Sequence, residues 1–180
     1  MQPNPKQQTA EKHCVYLSLG SNLGDRLAYL KAGVDGLRTD LQVTSIEVSP
    51  VYETAPWGKL DQPGYLNCCV RLWTSLSPAE TLSLCLAIER KNGRQRTDHW
   101  GARTLDIDIL IFDDLILSTS DLILPHPHLK DRRFVLKPMA DLASELMVPG
   151  YDQTVGGFLE RCGDTGEVVE VEGLKDITYF

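Results

Sequence analysis

RTLDIDILIF, residues 103–112, is an apolar, isoleucine-rich run that carries two carboxylates, Asp106 and Asp108, one residue apart. Its length and β-branched content predict a buried strand. In a strand, residues two apart face the same way at ~6.5–7 Å, so both aspartates project from one face. Leu105, Ile107, Ile109 and Ile111 take the opposite, core-facing side. Two negative charges at that separation repel by roughly 2.5 kcal/mol at an effective dielectric of 20, a large share of a small domain's stability. A positive partner answers that repulsion, and a D-x-D suits Mg²⁺, which uses one or two carboxylates together with phosphate oxygens and water. Two solvated aspartates blunting a sheet edge is the other reading the pattern leaves open.

The flanks weigh on this choice. Upstream, ERKNGRQRTDHWGAR concentrates Arg90, Lys91, Arg94, Arg96 and Arg103 in a chain whose formal net charge is -7. Arginine forks match phosphate oxygens, and a glycine-bearing loop lets them converge; a solvated basic loop is the plain alternative. Downstream, PHPHLKDRRFVLK adds His126, Lys130, Arg132, Arg133 and Lys137. His126 and His128 have H-x-H spacing, but with no third His or Cys nearby a metal site there is the weaker reading. GSNLGD, residues 20–25, is neither a Walker loop nor a dinucleotide G-x-G-x-x-G. Gly20, Ser21 and Gly24 read as turn residues before a helix.

Further outward, CVYLSL forms a first strand ending at Gly20. A helix then begins near Asp25, with Leu27, Leu30, Val34, Leu37 and Leu41 on one face. VTSIEVSPVYET is a second strand with Pro50 at an edge or bulge. TAPWGKLDQPG, residues 54–64, is a long loop of the kind that often carries function. GYLNCCVRLWTSL is a third strand placing Tyr65, Asn67, Cys69 and Arg71 on one face. The second helix, SPAETLSLCLAIERKNG, has Ser77 as N-cap, Pro78 at its first position, Glu80 closing a capping box and Gly93 past its end. The fold class is therefore α/β (α+β): a ferredoxin-like βαββαβ core with an antiparallel sheet and both helices on one face. An extra C-terminal hairpin follows, with a short helix interrupted or opened near Pro138. Residues 1–12 read as a disordered tail, 13–150 as the domain, and 151–180 as an appended acidic extension.

Composition narrows the function classes. With 180 residues and 42% hydrophobic content the chain suits one domain with a sizeable core. Its acidity argues against coating nucleic acid or an anionic membrane. No apolar run reaches membrane-span length, and no signal pattern opens the chain. The five cysteines form no C-x-x-C, as expected of buried thiols in a reducing, cytoplasmic protein. Exposed rings (Trp57, Tyr65, Trp100, Phe134), the Asn67 amide, the arginines and the paired carboxylates together point to phosphate transfer between a nucleotide and a flat heterocycle. Two rivals fit less well. A polymerase-β-type nucleotidyltransferase sets Gly-Ser about a dozen residues from its D-x-D, whereas two strands and two helices intervene here. An RNA-recognition domain needs an aromatic strand motif and a basic face, and the chain has neither.

YLSLGSNLGDR, VYETAPWG, DQPGYLN, HWGARTLDIDILIF and PHPHLKDRRFVL, in this order across residues 14–150, resemble the 6-hydroxymethyl-7,8-dihydropterin pyrophosphokinases of folate synthesis. The resemblance implies a cytoplasmic, monomeric enzyme that moves the pyrophosphoryl group of ATP to the pterin hydroxymethyl group and releases AMP. It implies Asp106 and Asp108 as ligands of two Mg²⁺ ions, and Arg94 and Arg103 as catalytic phosphate clamps. Arg96, Ile109, His126 and Arg132 are further ATP contacts. Tyr65 and Phe134 are the pterin's stacking faces and Asn67 its amide reader, with Thr54, Ala55, Pro56, Trp57 and Gly58 supplying further contacts and Trp100 sealing the site. Asp121, Ile123 and Pro127 stand where other members offer ATP an arginine, a threonine and a tyrosine, and Ala55 stands where proline is frequent. No nucleic-acid or membrane partner is implied.

Overall fold

In the computed structural model, which describes residues 12–55, 63–94 and 103–171, β1 (His13–Ser21) leads through α1 (Arg26–Arg38) to β2 (Val43–Val48) and β3 (Tyr52–Thr54). β4 (Tyr65–Thr74), α2 (Pro78–Lys91) and β5 (Asp106–Phe112) complete the core. Beyond it lie a hairpin of β6 (Leu117–Ser118) and β7 (Ile123–Leu124), then α3 (Arg133–Ala143), α4 (Val155–Arg161) and β8 (Val168–Glu170). The main sheet is antiparallel throughout, in the order β5-β1-β4-β3-β8, with β2 also pairing β4. This is the expected ferredoxin-like order with both core helices on one face.

The helices begin where the chain supplies partners for their first amides. The Asp25 carboxylate accepts from Ala28 N at 3.0 Å, and Ser77 with Glu80 forms a complete capping box at α2. From α1, Leu30, Val34 and Leu37 pack with Cys85 and Ile88 of α2 on one side of the sheet, against Leu17, Leu19, Cys68, Val70, Ile107 and Ile109. Leu41, expected on that face, lies past the helix end and is 99% exposed.

The second predicted strand is two. β2 and β3 lie end to end along β4, broken at Ser49-Pro50-Val51, because proline has no amide for the ladder. The strict alternation expected along 105–111 also fails. A bulge opens in β5 where Tyr16 pairs with Ile111 but Leu17 pairs with Ile109. Leu110 and Ile111 consequently join a second core, and Phe112 takes the helix-side position.

That second core was not foreseen. Val135, Leu136 and Met139 of α3 and Val155 of α4 pack with Tyr16, Cys69, Leu110 and Ile111, covering part of the face that carries the aspartates. α3 runs uninterrupted through Pro138. The expected acidic extension is woven into the domain as far as residue 171. Asp164 Oδ2 accepts from Arg133 N at 3.0 Å at the start of α3, and β8 pairs with β3. Residues 1–11 and 172–180 lie outside the described residues.

Candidate active site

The strand registers assemble one row of side chains on the face away from α1 and α2. Gly20 in the central strand faces Asn67 on β4 and Asp106 on β5, while Ser18, two residues back, faces Cys69 and Asp108. Thr54 on β3 faces Tyr65. Where α3 stops covering this face, a cavity of about 240 Å³ remains, floored by these residues other than Cys69, which is buried under α3, and walled by His126, Arg132, Phe134 and Val135. Gly20 is not the turn residue expected of it; it is the cavity floor. A Cβ there would stand 2.9 Å from Asn67 Oδ1, so only glycine leaves the space between Asn67 and Asp106 open. Gly24, with φ of 58°, is the residue that makes the turn.

On the apolar-ring side, Asn67 is 3% exposed and donates through Nδ2 to Thr54 Oγ1 at 2.8 Å, which turns its Oδ1 toward Gly20. Tyr65 and Phe134 stand in the same cavity, a phenol from the sheet and a ring from the first turn of α3. Burial raises the Tyr65 phenol above its ordinary range, so it stays neutral and planar at physiological pH.

On the charged side, Arg103 pairs with Asp106, and Arg94 Nη1 lies 2.6 Å from Asp106 Oδ1. Arg94 also pairs with Glu89, a carboxylate only 2% exposed that accepts from Ile107 N at 2.7 Å. Glu89 thereby joins the end of α2 to the edge of β5 between the two aspartates. Burial raises its carboxyl, while the Ile107 amide and Arg94 act against that rise. Asp108 is pushed up to about 7, first by burial and then by Asp106, with Arg132 and Arg103 opposing. His126 is pushed down to about 4, by burial and then by Arg132. Its Nδ1 accepts from His128 N at 3.2 Å, which assigns the ring proton to Nε2. His126 is thus a neutral donor at physiological pH.

Among the expected site residues, Thr54, Ala55, Tyr65, Asn67, Arg103, Asp106, Asp108, His126, Arg132 and Phe134 line this single cavity. Arg94 stands behind it, reaching the site through Asp106. Ile109, implied as an ATP contact, is 3% exposed and packed in the helix-side core, so its side chain does not reach the cavity. Pro56, Trp57, Gly58, Arg96 and Trp100 lie outside the described residues. Sequence reasoning missed Ser18, Gly20, Val135 and Glu89. The first two were recoverable from β1's alternation once Gly20 is placed in the strand, and Glu89 only from its position in the last turn of α2.

Among the described residues, no cluster of three or more His, Cys, Asp or Glu is arranged to hold a metal ion. The donor set fits Mg²⁺ all the same. Two carboxylates share one cavity, and one of them is held at about 7 by burial and its neighbour, which a cation would relieve. Among the described residues, no helix is long and apolar enough to cross a membrane.

The sequence model of the family described as "7,8-dihydro-6-hydroxymethylpterin-pyrophosphokinase (HPPK)" matches residues 16–144. The 2-amino-4-hydroxy-6-hydroxymethyldihydropteridine pyrophosphokinase of Bacillus subtilis is 45% identical over 131 residues, 73% of this chain and 78% of that protein. Its namesake in Methylorubrum extorquens is 39% identical over 151 residues, 84% of this chain and 94% of that one. Among solved structures, the Plasmodium falciparum HPPK-DHPS S436F/A437G/A613S triple mutant superposes with a TM-score of 0.67 at 16% identity. That likeness covers 86% of this chain but only 45% of the longer Plasmodium chain, and it bears on the fold alone.

Proposed function

We propose, from the premise that the chain belongs to the 7,8-dihydro-6-hydroxymethylpterin-pyrophosphokinase family, that the cavity above Gly20 is where its two substrates meet. The chain is an ATP-dependent diphosphotransferase of folate biosynthesis. It transfers the pyrophosphoryl group of ATP to the hydroxymethyl group of 6-hydroxymethyl-7,8-dihydropterin, giving AMP and the pterin diphosphate. The observation that carries the placement is the sharing of one cavity by the ring-binding groups and the paired carboxylates.

Tyr65 and Phe134 sandwich the pterin ring, and Asn67 with Thr54 reads its polar edge. Ala55 lines the cavity beside Thr54, and Pro56, Trp57 and Gly58, which follow it in the sequence, supply further pterin contacts. On the phosphate side, Arg103 and Arg132 face the polyphosphate, with Arg94 beside Asp106, Arg96 as a further ATP contact and His126 donating from Nε2, while Trp100 seals the site over the pterin. Asp106 and Asp108 would hold two Mg²⁺ ions, which would neutralise charge on the phosphates and act as Lewis acids. Arg94 and Arg103 both pair with Asp106, and a polyphosphate beside it would give the same guanidinium groups a second anion to face.

In the transfer, the hydroxymethyl oxygen bonds to the β-phosphorus and gives up its proton to water, and the bond from that phosphorus to the oxygen retained by AMP breaks. Among the described residues none is placed as a dedicated general base. The protein's contribution is positioning and charge neutralisation in a site closed on one side by α3. The five free thiols support a reducing, cytoplasmic setting.

The test is to incubate the protein with Mg²⁺, ATP and the pterin and to identify the nucleotide product. AMP formation that requires the pterin and is lost in Asp106→Ala is expected. ADP as product, or full activity in folded Asp106→Ala, refutes the placement.

A further inference from the structure

The chemistry above uses Gly20 from the GSNLGDR stretch but gives its other polar residues no work, and the contacts of Asn22 single it out. Asn22 directly follows β1 and is 1% exposed. Its Oδ1 accepts from Arg103 N at 2.7 Å, and its own backbone N donates to Arg103 O at 3.0 Å. Its Nδ2 donates to Pro63 O at 3.3 Å. Arg103 faces the phosphate side of the cavity, whereas Pro63 stands two residues before Tyr65, a face of the ring side. One buried amide therefore ties together the backbones that carry the two half-sites.

A second brace lies one helical turn along. Arg26 Nη1 meets Glu53 Oε1 at 2.7 Å and Gly64 O at 2.8 Å, so the start of α1 also grips the chain on both sides of the 55–63 stretch. Arg26 is partly exposed and its ion pair is correspondingly weak, which leaves the buried amide as the stronger tie. The amide's polarity is fixed by its partners. A backbone N–H requires the oxygen toward Arg103, and a backbone carbonyl requires the nitrogen toward Pro63.

We infer that Asn22 is a positioning residue that holds Arg103 and the Pro63–Tyr65 segment in register, so that the phosphate and pterin half-sites are set by a single side chain. This rests on the function proposed above. It makes the two halves separable by chemistry at one atom. Aspartate at position 22 keeps an oxygen for Arg103 N but loses the donor to Pro63 and opposes that carbonyl with charge; alanine loses both side-chain bonds.

The test is steady-state kinetics of Asn22→Asp and Asn22→Ala with each substrate varied, beside Asp106→Ala and thermal melts of all three. The loss of a buried hydrogen bond predicts about a tenfold rise in KM for the substrate it serves. Asn22→Asp should raise KM for the pterin about tenfold while KM for ATP stays within about threefold, and Asn22→Ala should raise both. Unchanged KM values in a folded Asn22→Ala overturn the inference, as does an Asn22→Asp that raises both KM values equally. If Asn22→Ala does not fold, Asn22→Asp alone decides by the same criterion. An active Asp106→Ala would instead refute the proposed function, so the two failures are distinct.

Discussion

Replacing Asp108 with asparagine should abolish turnover yet stabilise the metal-free protein, and the gain should grow with pH. Burial first, and Asp106 second, push the Asp108 carboxyl up to about 7 from an unfolded value of 3.8. Between those two values the folded chain holds a proton that the unfolded chain has released. Stability therefore falls as pH rises through this window, and the loss is complete above about pH 7. The full shift corresponds to about 4 kcal/mol, and residual solvent contact reduces this to about 2–4 kcal/mol. For a chain of this length that is a Tm difference of about 5–10 °C at pH 8. Asparagine fills the same space without the charge and escapes the penalty. At pH 5 the gap should shrink to roughly two-fifths of its alkaline size, because little of the window has been crossed. Melting curves of both proteins in chelator at pH 5 and pH 8 measure this directly, and a repeat in excess Mg²⁺ should lift the wild type more than the variant. A gap independent of pH, or an Asp108→Asn less stable than wild type at pH 8, would refute the reasoning.

The remaining expectations are smaller. Gly20→Ala places a methyl 2.9 Å from Asn67 Oδ1 and should raise KM for the pterin about tenfold or more with the fold intact; an unchanged KM in steady-state kinetics contradicts the floor assigned to Gly20. Glu89→Ala strands Ile107 N and one face of Arg94, and should cost about 2–4 kcal/mol in denaturant unfolding. Glu89→Gln, which keeps an acceptor for Ile107, should recover part of that loss. His126, pushed down to about 4, is neutral across the assay range, so wild type and His126→Gln should give pH–rate profiles of the same shape between about pH 5.5 and 8. A limb near pH 6.5 that vanishes in the variant would show that the histidine titrates there.

The sheet was legible because alternation is a strong signal. Leu66, Cys68, Val70 and Leu72 turn to the helices, while Tyr65 and Asn67 turn to the cavity, as period two requires. What alternation cannot announce is its own interruption. The bulge beside Leu110 adds one residue and sends Ile111 to the other core, and nothing in ILIF distinguishes that from an unbroken strand. The site was legible in its charged and aromatic members, whose side chains declare their chemistry. Gly20 contributes by having no side chain, and Glu89 by being a buried acid at the end of an otherwise ordinary amphipathic helix. The second core was hidden for a related reason. Cys69, Leu110 and Ile111 lie on the face expected to hold only the polar site, and the α3 residues that cover them come from a stretch read chiefly for its basic charge.

β8 gives the order of synthesis a physical consequence. Its partner β3 ends at Thr54, yet β8 begins only at Val168, so about 114 residues separate the two pairing partners. In a chain emerging from its N-terminus, the outer edge of β3 stays without its neighbour while nearly all of the intervening polypeptide is made. Open edges recruit strands from other molecules. β3 limits that hazard by being three residues long and carrying Glu53. A chain halted between residues 143 and 168 should therefore hold most of its core and still expose this edge, making interrupted synthesis a more dangerous source of aggregates than the finished fold.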